Sequence, residues 1–379
     1  MSAPVWHLLS ADRGGGVAGY AELLAAALAD AGREVHYWVP TPYYGPHTLA
    51  VAKHELYGLD PASFRRMGAA LDRFPAPRRL LVQYAPQAWG MRGMNVPFCS
   101  WLLARRRAGD DVRVMFHEPF FPFGWQRPQR NLLAAVNRWM AWLLLRASTR
   151  AYLSIAAWEA LLRPLAPPGL AFTVLPIPST TPFVDDPLQV CARREEIAGR
   201  TDRPVFVHFG TYGQLIAPML RDALRALIER RPDARIALLG LNGPAFADRL
   251  RAEDARFADA LVAPGFLGPE DLSLHLQAAD AAIQPYPDGA DTRRTSLMAC
   301  LANGVPTVTT RGRFTEELWT RSPLALVDAA RPERMADAAI DAPGPADREA
   351  RGAEIRAFYR GHFAMEHTIG RLLADEGGG

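Results

Sequence analysis

Lysine is almost absent from this chain of 379 residues. Lys53 is the only lysine, and the other 42 of its 43 basic residues are arginines. Pyridoxal phosphate enzymes need a lysine for the Schiff base, and P-loop proteins need one in the phosphate-binding loop. The residues around Lys53 match neither pattern. A pyridoxal enzyme, a kinase and a P-loop nucleotidase are therefore not expected.

Cysteines and long apolar runs are also scarce. The three cysteines, Cys99, Cys191 and Cys300, are far apart and lie in apolar sequence, so we interpret them as small buried residues. The most apolar run, residues 139–145, is seven residues long, whereas a membrane span needs ~20. No signal-peptide pattern precedes the first apolar run. These features predict a cytoplasmic protein, with a position at the inner face of the membrane left open.

The charge balance indicates that any contact with a polyanionic partner must be local. The formal net charge is +3, with 22% charged and 49% hydrophobic residues. This composition is typical of a globular protein with large cores. Because the net charge is small, no global attraction to nucleic acid or to an anionic membrane is expected.

Short apolar runs alternate with segments of helical periodicity along the whole chain, as in βα units that build parallel sheets. The runs predict twelve strands, at 5–9, 35–39, 80–83, 112–116, 151–154, 172–175, 205–209, 235–239, 261–263, 281–285, 306–309 and 325–327. Prolines at 176–187 interrupt this alternation. We predict an α/β fold with two Rossmann-like doubly wound parallel-sheet domains facing across a cleft. Their predicted bounds are 1–182 and 188–345, and a C-terminal helix in 346–379 is expected to pack back across the domains. The carboxyl ends of the strands would line the cleft.

A glycine-rich segment at 14–19 follows the first predicted strand and has the spacing GxGxxG. No acidic residue ends the second strand, which argues against a dinucleotide site. Gly15 and Gly16 instead predict a turn whose backbone approaches an anion or a hydroxyl group at a helix N-terminus. Tight packing of helix on strand is the alternative.

A histidine and a glutamate, His117 and Glu118, follow another predicted strand. The carboxyl end of a strand is where open α/β sheets carry active residues, so both are catalytic candidates. Capping of the loop by His117 and a salt bridge by Glu118 are the alternatives.

The most informative segment is Asp291 to Ser296. Arg293 and Arg294 stand directly before Thr295 and Ser296 at a predicted helix start. Two guanidinium groups, two hydroxyls and free helix N–H groups are what a diphosphate requires. The alternative is an ordinary helix cap beside solvated arginines.

Five segments together resemble the GT-B glycosyltransferases of family 4: the glycine-rich loop, the segment at 117–120, and residues 207–212, 265–272 and 291–306. The resemblance covers nearly the whole chain and is most specific at 265–306. It implies a GT-B fold, a nucleotide-diphosphate sugar donor in the C-terminal domain and an acceptor in the N-terminal domain. It also implies transfer with retention and without metal or other cofactor. The sequence contains no Asp-X-Asp pair for a divalent ion.

The resemblance also assigns roles to single residues. His117 would lie next to the donor sugar, and Gly15 and Gly16 near the diphosphate and the acceptor. Phe266 and Leu267 would contact the nucleotide base through their backbone.

Asp291 corresponds to the first of the two acidic residues that family members carry around the donor helix, and would bind hydroxyls of the donor sugar. Ala299 stands at the position of the second. Gly210 and Thr211 fall in the segment that contacts the diphosphate, although the segment lacks the arginine and lysine of the family.

These departures leave two explanations. Arg293 and Arg294 replace the lost basic residues, or the donor site has decayed and a non-catalytic binding protein remains. We favour the first, because a decayed site has no reason to retain paired arginines at a helix N-terminus. A GT-B nucleotide-sugar epimerase is a further alternative.

The acceptor side is less defined, so a glycan, a lipid-linked molecule or a small molecule all remain open. Aromatic residues at 120–125 suit stacking on such an acceptor. The helix predicted at 132–146 suggests either contact with a membrane surface or, preferably, complete burial.

Overall fold

The computed structural model describes residues 4–42, 51–56, 58–125, 128, 130–199, 203–342 and 347–375. The chain divides into two compact units. The first comprises residues 1–177 and 365–379, and the second comprises residues 178–364.

The first unit is built on a seven-stranded parallel sheet in the order β3-β2-β1-β4-β5-β6-β7. Its strands are β1 (Val5–Ser10), β2 (Val35–Val39), β3 (Ala52–Glu55), β4 (Arg78–Tyr84), β5 (Asp111–Phe116), β6 (Arg150–Leu153) and β7 (Phe172–Val174). The helices between them are α1 (Gly16–Asp30), α2 (Pro61–Leu71), α3 (Val96–Arg107), α4 (Arg130–Ala147) and α5 (Ala157–Leu162).

The second unit is built on a six-stranded parallel sheet in the order β10-β9-β8-β11-β12-β13. Its strands are β8 (Val205–Phe209), β9 (Arg235–Leu239), β10 (Leu261–Gly265), β11 (Ala281–Gln284), β12 (Thr307–Arg311) and β13 (Ala325–Asp328). Its helices are α6 (Pro187–Ala198), α7 (Ala217–Arg230), α8 (Gly243–Glu253), α9 (Pro269–Gln277), α10 (Thr295–Ala302), α11 (Glu317–Thr320), α12 (Met335–Ile340) and α13 (Arg348–His362).

The remaining helix, α14 (Met365–Ala374), returns to the first unit. Short 3₁₀ helices occupy Pro86–Trp89, Met91–Gly93, Arg163–Leu165, Ala255–Phe257 and Pro332–Arg334.

Strand order reverses once in each sheet. In the first sheet the chain runs from β1 outwards to β3 and then continues with β4 on the other side of β1. In the second sheet β11 is likewise added on the side of β8 opposite to β9. Ligands of open α/β sheets bind outside the carboxyl ends of the strands at such reversals. The topology therefore directs attention to the loops after β1, β4 and β5, and to those after β8 and β11.

The predicted α/β class with two parallel sheets is confirmed, and every predicted strand lies within two residues of an observed one. The sequence analysis missed β3, which is a polar edge strand with the sequence Ala-Lys-His-Glu. An edge strand packs little apolar surface, so it carries no alternating apolar pattern.

The C-terminal segment is two helices and not one. Phe363 ends α13 and stacks on Trp319, with ring centroids 5.2 Å apart. Leu372 of α14 belongs instead to the core of the first unit. The chain must turn between these two cores. The boundary predicted at 345–346 lies outside the described residues.

The loop after β11 is clamped to the segment after β12. The amide of Ala290 donates to the carbonyl of Thr310 at 2.8 Å, and the amide of Phe314 donates to that of Asp288 at 2.9 Å. Gly289 has a φ of +88°, and a Cβ atom there would lie 2.1 Å from Oγ1 of Thr315 and 2.3 Å from the amide of Gly312. Only glycine fits this contact.

Replacing Gly289 with alanine should therefore destabilise the fold. We expect Gly289→Ala to lower the free energy of unfolding by about 3 kcal/mol, because it combines left-handed backbone strain with a backbone clash. Gly361 in α13 has open space around its Cβ position. Gly361→Ala should stay within about 1 kcal/mol of the wild type. Urea unfolding of both variants tests this, and equal stability would contradict the tight contact.

Candidate functional site

The site in the second unit is organised by a buried carboxylate. Asp291 has no exposed surface. Its Oδ1 accepts from the amide and the Nε of Arg293 at 2.9 and 3.1 Å, and its Oδ2 accepts from Nη2 of Arg293 at 2.7 Å. Nε of Arg294 lies 3.6 Å from the same Oδ2. Both carboxylate oxygens are thus directed at arginines.

The second arginine retains donor capacity. Nε of Arg294 is buried and has no hydrogen-bond partner among the described residues. The Arg294 guanidinium lies 4.9 Å from the centre of the Tyr286 ring, and the Tyr286 hydroxyl is 2.8 Å from Oγ of Ser296. Tyr286 therefore contacts Arg294 through its ring and Ser296 through its hydroxyl group. Its own burial raises the pKa of the Tyr286 phenol, which keeps it neutral.

The N-terminus of α10 lies at the same place. Arg294 is the N-cap residue, and its side chain makes no hydrogen bond to the helix. The first turn contains no acidic residue. The expected alternative, an ordinary cap by Thr295 or Ser296, is thus not formed. Two arginines, one carboxylate and the positive end of the helix dipole leave a net positive charge suited to an anion.

The other predicted donor residues lie on neighbouring loops. Gly210 follows β8, and its carbonyl oxygen would lie 2.5 Å from a Cβ atom at Gly240. The carbonyl of Thr211 accepts from the side chain of Asn242 at 3.2 Å. Gly210 and Thr211 thus hold the loops after β8 and β9 together. Neither supplies a positive charge.

The two predicted base contacts follow β10 at the edge of the sheet. Phe266 is 76% exposed, so its ring contacts little of its own chain. Leu267 packs on the core behind it. Ala299 is buried in the same core and cannot replace the second acidic residue of the family.

The glycine-rich loop of the first unit contains its own anion. The carboxylate of Asp12 accepts from the amides of Gly15 at 3.2 Å and Ala18 at 3.0 Å. A Cβ atom at Gly15 would lie 2.7 Å from that carboxylate. Gly16 is the first residue of α1. Asp12 therefore occupies the anion position predicted for this loop, and a diphosphate there would meet like charge.

His117 is held in a buried pocket at the end of β5. Its Nε2 donates to Oε1 of Gln83 at 2.8 Å, and Tyr20 of α1 packs edge-on against its ring at 5.3 Å. Burial lowers the pKa of His117 to about 3, so the imidazole is neutral near pH 7. It is suited to hydrogen bonding and not to acting as an ionised acid. Glu118 is exposed and accepts from Gln87 at 2.8 Å.

Within each unit the structure brings predicted residues together. Tyr20 links the helix after Gly15 and Gly16 to His117, and the segment from Asp291 to Ser296 forms one cluster. The sequence analysis missed Asp12, Gln83 and Tyr286. An aspartate three residues before Gly15 is a recognisable capping signal, whereas Gln83 and Tyr286 are apparent only once the strands are paired.

Among the residues that the structure describes, no three His, Cys, Asp or Glu side chains lie close enough together to bind a metal ion. None of their helices has the length and hydropathy of a membrane span.

Several solved structures have this architecture. HepE of Anabaena, solved with UDP and glucose, has a TM-score of 0.72 at 12% identity, covering 98% of this chain and 100% of its own. Sucrose-phosphate synthase of Thermosynechococcus elongatus has a TM-score of 0.68 at 17% identity, and the match covers 98% of this chain and 99% of the synthase. A glycosyltransferase of Rickettsia africae has a TM-score of 0.70 at 14% identity, and the match covers 99% of this chain and 98% of that protein. This chain has the GT-B fold.

Sequence comparison adds no closer relative. No protein-family model matches the chain, and no curated protein matches it in sequence. At these identities the likeness to solved GT-B structures concerns the fold.

Asp291 should be required for stability, because removing it leaves two arginines without a carboxylate. We expect Asp291→Asn to lower the free energy of unfolding by about 3 kcal/mol. Asp288 in the same loop forms a more exposed pair with Arg313 at 2.7 Å, so Asp288→Asn should change it by less than about 1 kcal/mol. Denaturant unfolding without ligand measures both. An Asp291→Asn protein as stable as the wild type would contradict the positioning of the arginines by this carboxylate.

A buried histidine near the site should make the second unit sensitive to acid. Burial lowers the pKa of His208 to about 4, and its Nδ1 donates to the carbonyl of Ile283 at 2.8 Å. The unfolded chain binds a proton near pH 6.5, so the stability contributed by neutral His208 is complete above that pH and is lost as the pH falls towards 4.

We expect His208→Asn, which retains a donor for Ile283, to reduce the loss of stability between pH 7 and 5 by about 2 kcal/mol. Urea unfolding at both pH values measures the change. An unaltered pH dependence would show that His208 is not buried as a neutral group.

Proposed function

We propose that this protein transfers a sugar from a nucleotide diphosphate to a hydroxyl acceptor, with retention and without a metal ion. The observation that carries the proposal is the cationic cluster at the N-terminus of α10. It contains Arg293, Arg294 and a helix end without a side-chain cap. It lies at the strand-order reversal of the second sheet, beside β8. The UDP-glucose bound to HepE, which has the same architecture, supports this choice of donor.

The cluster is suited to the charge that develops during transfer. When the bond between the sugar and the diphosphate breaks, negative charge grows on the leaving oxygen. Preorganised guanidinium groups and helix N–H groups stabilise such charge in the transition state. Arg294, with a buried Nε that lacks a hydrogen-bond partner in the described part of the chain, is the principal candidate. The two arginines would replace the arginine and lysine that related GT-B proteins are expected to carry after the first strand of this domain.

Asp291 receives a different role from the one expected from sequence. Its carboxylate is fully buried and engaged by Arg293, so we propose that it positions the arginines and does not bind hydroxyls of the sugar. Phe266 and Leu267 remain our candidates for the base. His117 remains our candidate beside the donor sugar, Gly15 and Gly16 remain candidates beside the acceptor, and Glu118 remains a catalytic candidate. A glycan, a lipid-linked molecule and a small molecule remain acceptor classes.

Nucleotide binding tests the proposal directly. Calorimetric titration with UDP, GDP, ADP and dTDP in the presence of chelator should show binding of one of them. Arg294→Ala should weaken that binding by at least ~10-fold, equivalent to the loss of a charge-assisted contact. Arg321 is an exposed arginine paired with Glu317, so Arg321→Ala is the matched control and should bind as the wild type does.

Three results would lead elsewhere. No binding by the folded protein to any of the four nucleotides would favour the non-catalytic binding protein. Conversion of the nucleotide sugar to an epimer without an acceptor would favour an epimerase. Equal binding by Arg294→Ala and the wild type would remove Arg294 from the donor site.

A further inference from the structure

An exposed row of large apolar side chains lies on α4 of the first unit. Leu132 is 68% exposed, Trp139 is 54% exposed and Trp142 is 37% exposed. Their spacing of seven and three residues places them on one face of the helix. The opposite face packs inside the unit through Met140, Leu144 and their neighbours. The complete burial preferred from the sequence is therefore wrong, because α4 has two apolar faces and only one is covered.

The loop before α4 extends this row. Phe123 is 54% exposed and Trp125 is 99% exposed. Arg138 of α4 donates to the carbonyl of Phe121 at 2.9 Å, and its guanidinium lies 4.2 Å from the centre of the Phe120 ring and 4.0 Å from that of Phe123. Arg138 thereby fastens the loop to the helix. Five residues form this surface, which we call the aromatic stripe: Phe123, Trp125, Leu132, Trp139 and Trp142.

Such a surface is costly unless something covers it. Apolar side chains gain free energy when they leave water, and large apolar patches on soluble proteins mark interaction sites. Trp125 contacts almost nothing of its own chain. It is placed to insert into a partner and does not support the fold.

The charges around the stripe indicate the partner. No acidic residue occurs from 119 to 158. Three arginines of α4 lie along the helix: Arg130, Arg138 and Arg146. Arg146 stacks on Trp142, with its guanidinium 3.8 Å from the ring centre. Tryptophan rings with arginines beside them are suited to the boundary between lipid headgroups and acyl chains, where the ring enters the apolar layer and the guanidinium meets phosphate.

We propose that the aromatic stripe docks on an anionic lipid surface, with α4 lying in the plane of that surface. The arginines attract the phosphate groups, and the tryptophans and leucine enter the interface. This inference does not depend on the transfer reaction, because it rests on the exposed face of α4 and its charges alone. It gives a mode of contact to the membrane association that the sequence left open.

Vesicle sedimentation tests the proposal with the full chain. The protein should bind vesicles that contain phosphatidylglycerol and bind pure phosphatidylcholine weakly, and added salt should reduce binding. The double variant Trp139→Ser, Trp142→Ser should bind at least ~10-fold more weakly, because two interfacial side chains are lost. Arg146→Glu should also weaken binding to the anionic vesicles.

Matched control variants distinguish vesicle binding through the aromatic stripe from nonspecific hydrophobic binding. Leu188 on α6 is 82% exposed, so Leu188→Gln removes a comparable exposed leucine from the second unit. It should bind as the wild type does, whereas Leu132→Gln should bind less. Circular dichroism and thermal unfolding of each variant check that the fold is intact.

Two outcomes would overturn the proposal. The first is absence of binding to anionic vesicles, or equal binding by the wild type and the double tryptophan variant. The second is a dimer by light scattering that the double variant converts to a monomer without any vesicle binding. In that case a second copy of the chain covers the stripe. A nucleotide titration on the same preparations separates failure of this inference from failure of the proposed transferase function.

Discussion

The donor-side cluster depends on one buried carboxylate. Asp291 has no exposed surface, so its charge must be compensated inside the protein, and Arg293 does this through both carboxylate oxygens. The arginine pair cannot leave without uncovering that charge. The other arginine of the pair, Arg294, is the N-cap of α10. The pairing of the arginines with Asp291 therefore also determines where the helix begins. The tight passage of Gly289 past Gly312 then holds the preceding loop, so the positive end of the helix and the guanidinium groups stay at the edge of the sheet.

The N-terminus of α1 in the first unit and the N-terminus of α10 in the second unit have different charged side chains beside them. In the first unit the carboxylate of Asp12 accepts from the amides of the N-cap residue Gly15 and of Ala18 in the first turn of α1, which neutralises the positive end of that helix. In the second unit α10 begins after two arginines and has no acidic residue in its first turn. The difference is electrostatic and not topological, because both helices follow a strand at a reversal of strand order. Only the α10 end therefore combines the helix dipole with fixed positive charge.

Several arginines of this lysine-poor chain lie over aromatic rings. Arg294 lies over Tyr286, Arg138 over Phe120 and Phe123, and Arg146 over Trp142. A planar guanidinium stacks on an aromatic ring and still presents N–H donors at its edge, which an ammonium group does less well. The same residue type thus serves the candidate anion site and the aromatic stripe. In both places a cation lies beside an aromatic ring.

Local pattern was sufficient for the α/β class and for the positions of twelve strands, because apolar periodicity and turn residues act over a few neighbours. It also identified the arginine pair at the start of α10. The partners of these residues were decided by packing. Gln83 meets His117, Tyr286 meets Arg294, and a polar segment became β3, because strand pairing brings together residues that are distant in sequence. Tertiary packing also determined the exposure of Trp139. A helix with two apolar faces has the same composition whether one face or both are covered, and only the surrounding elements determine which face remains in water.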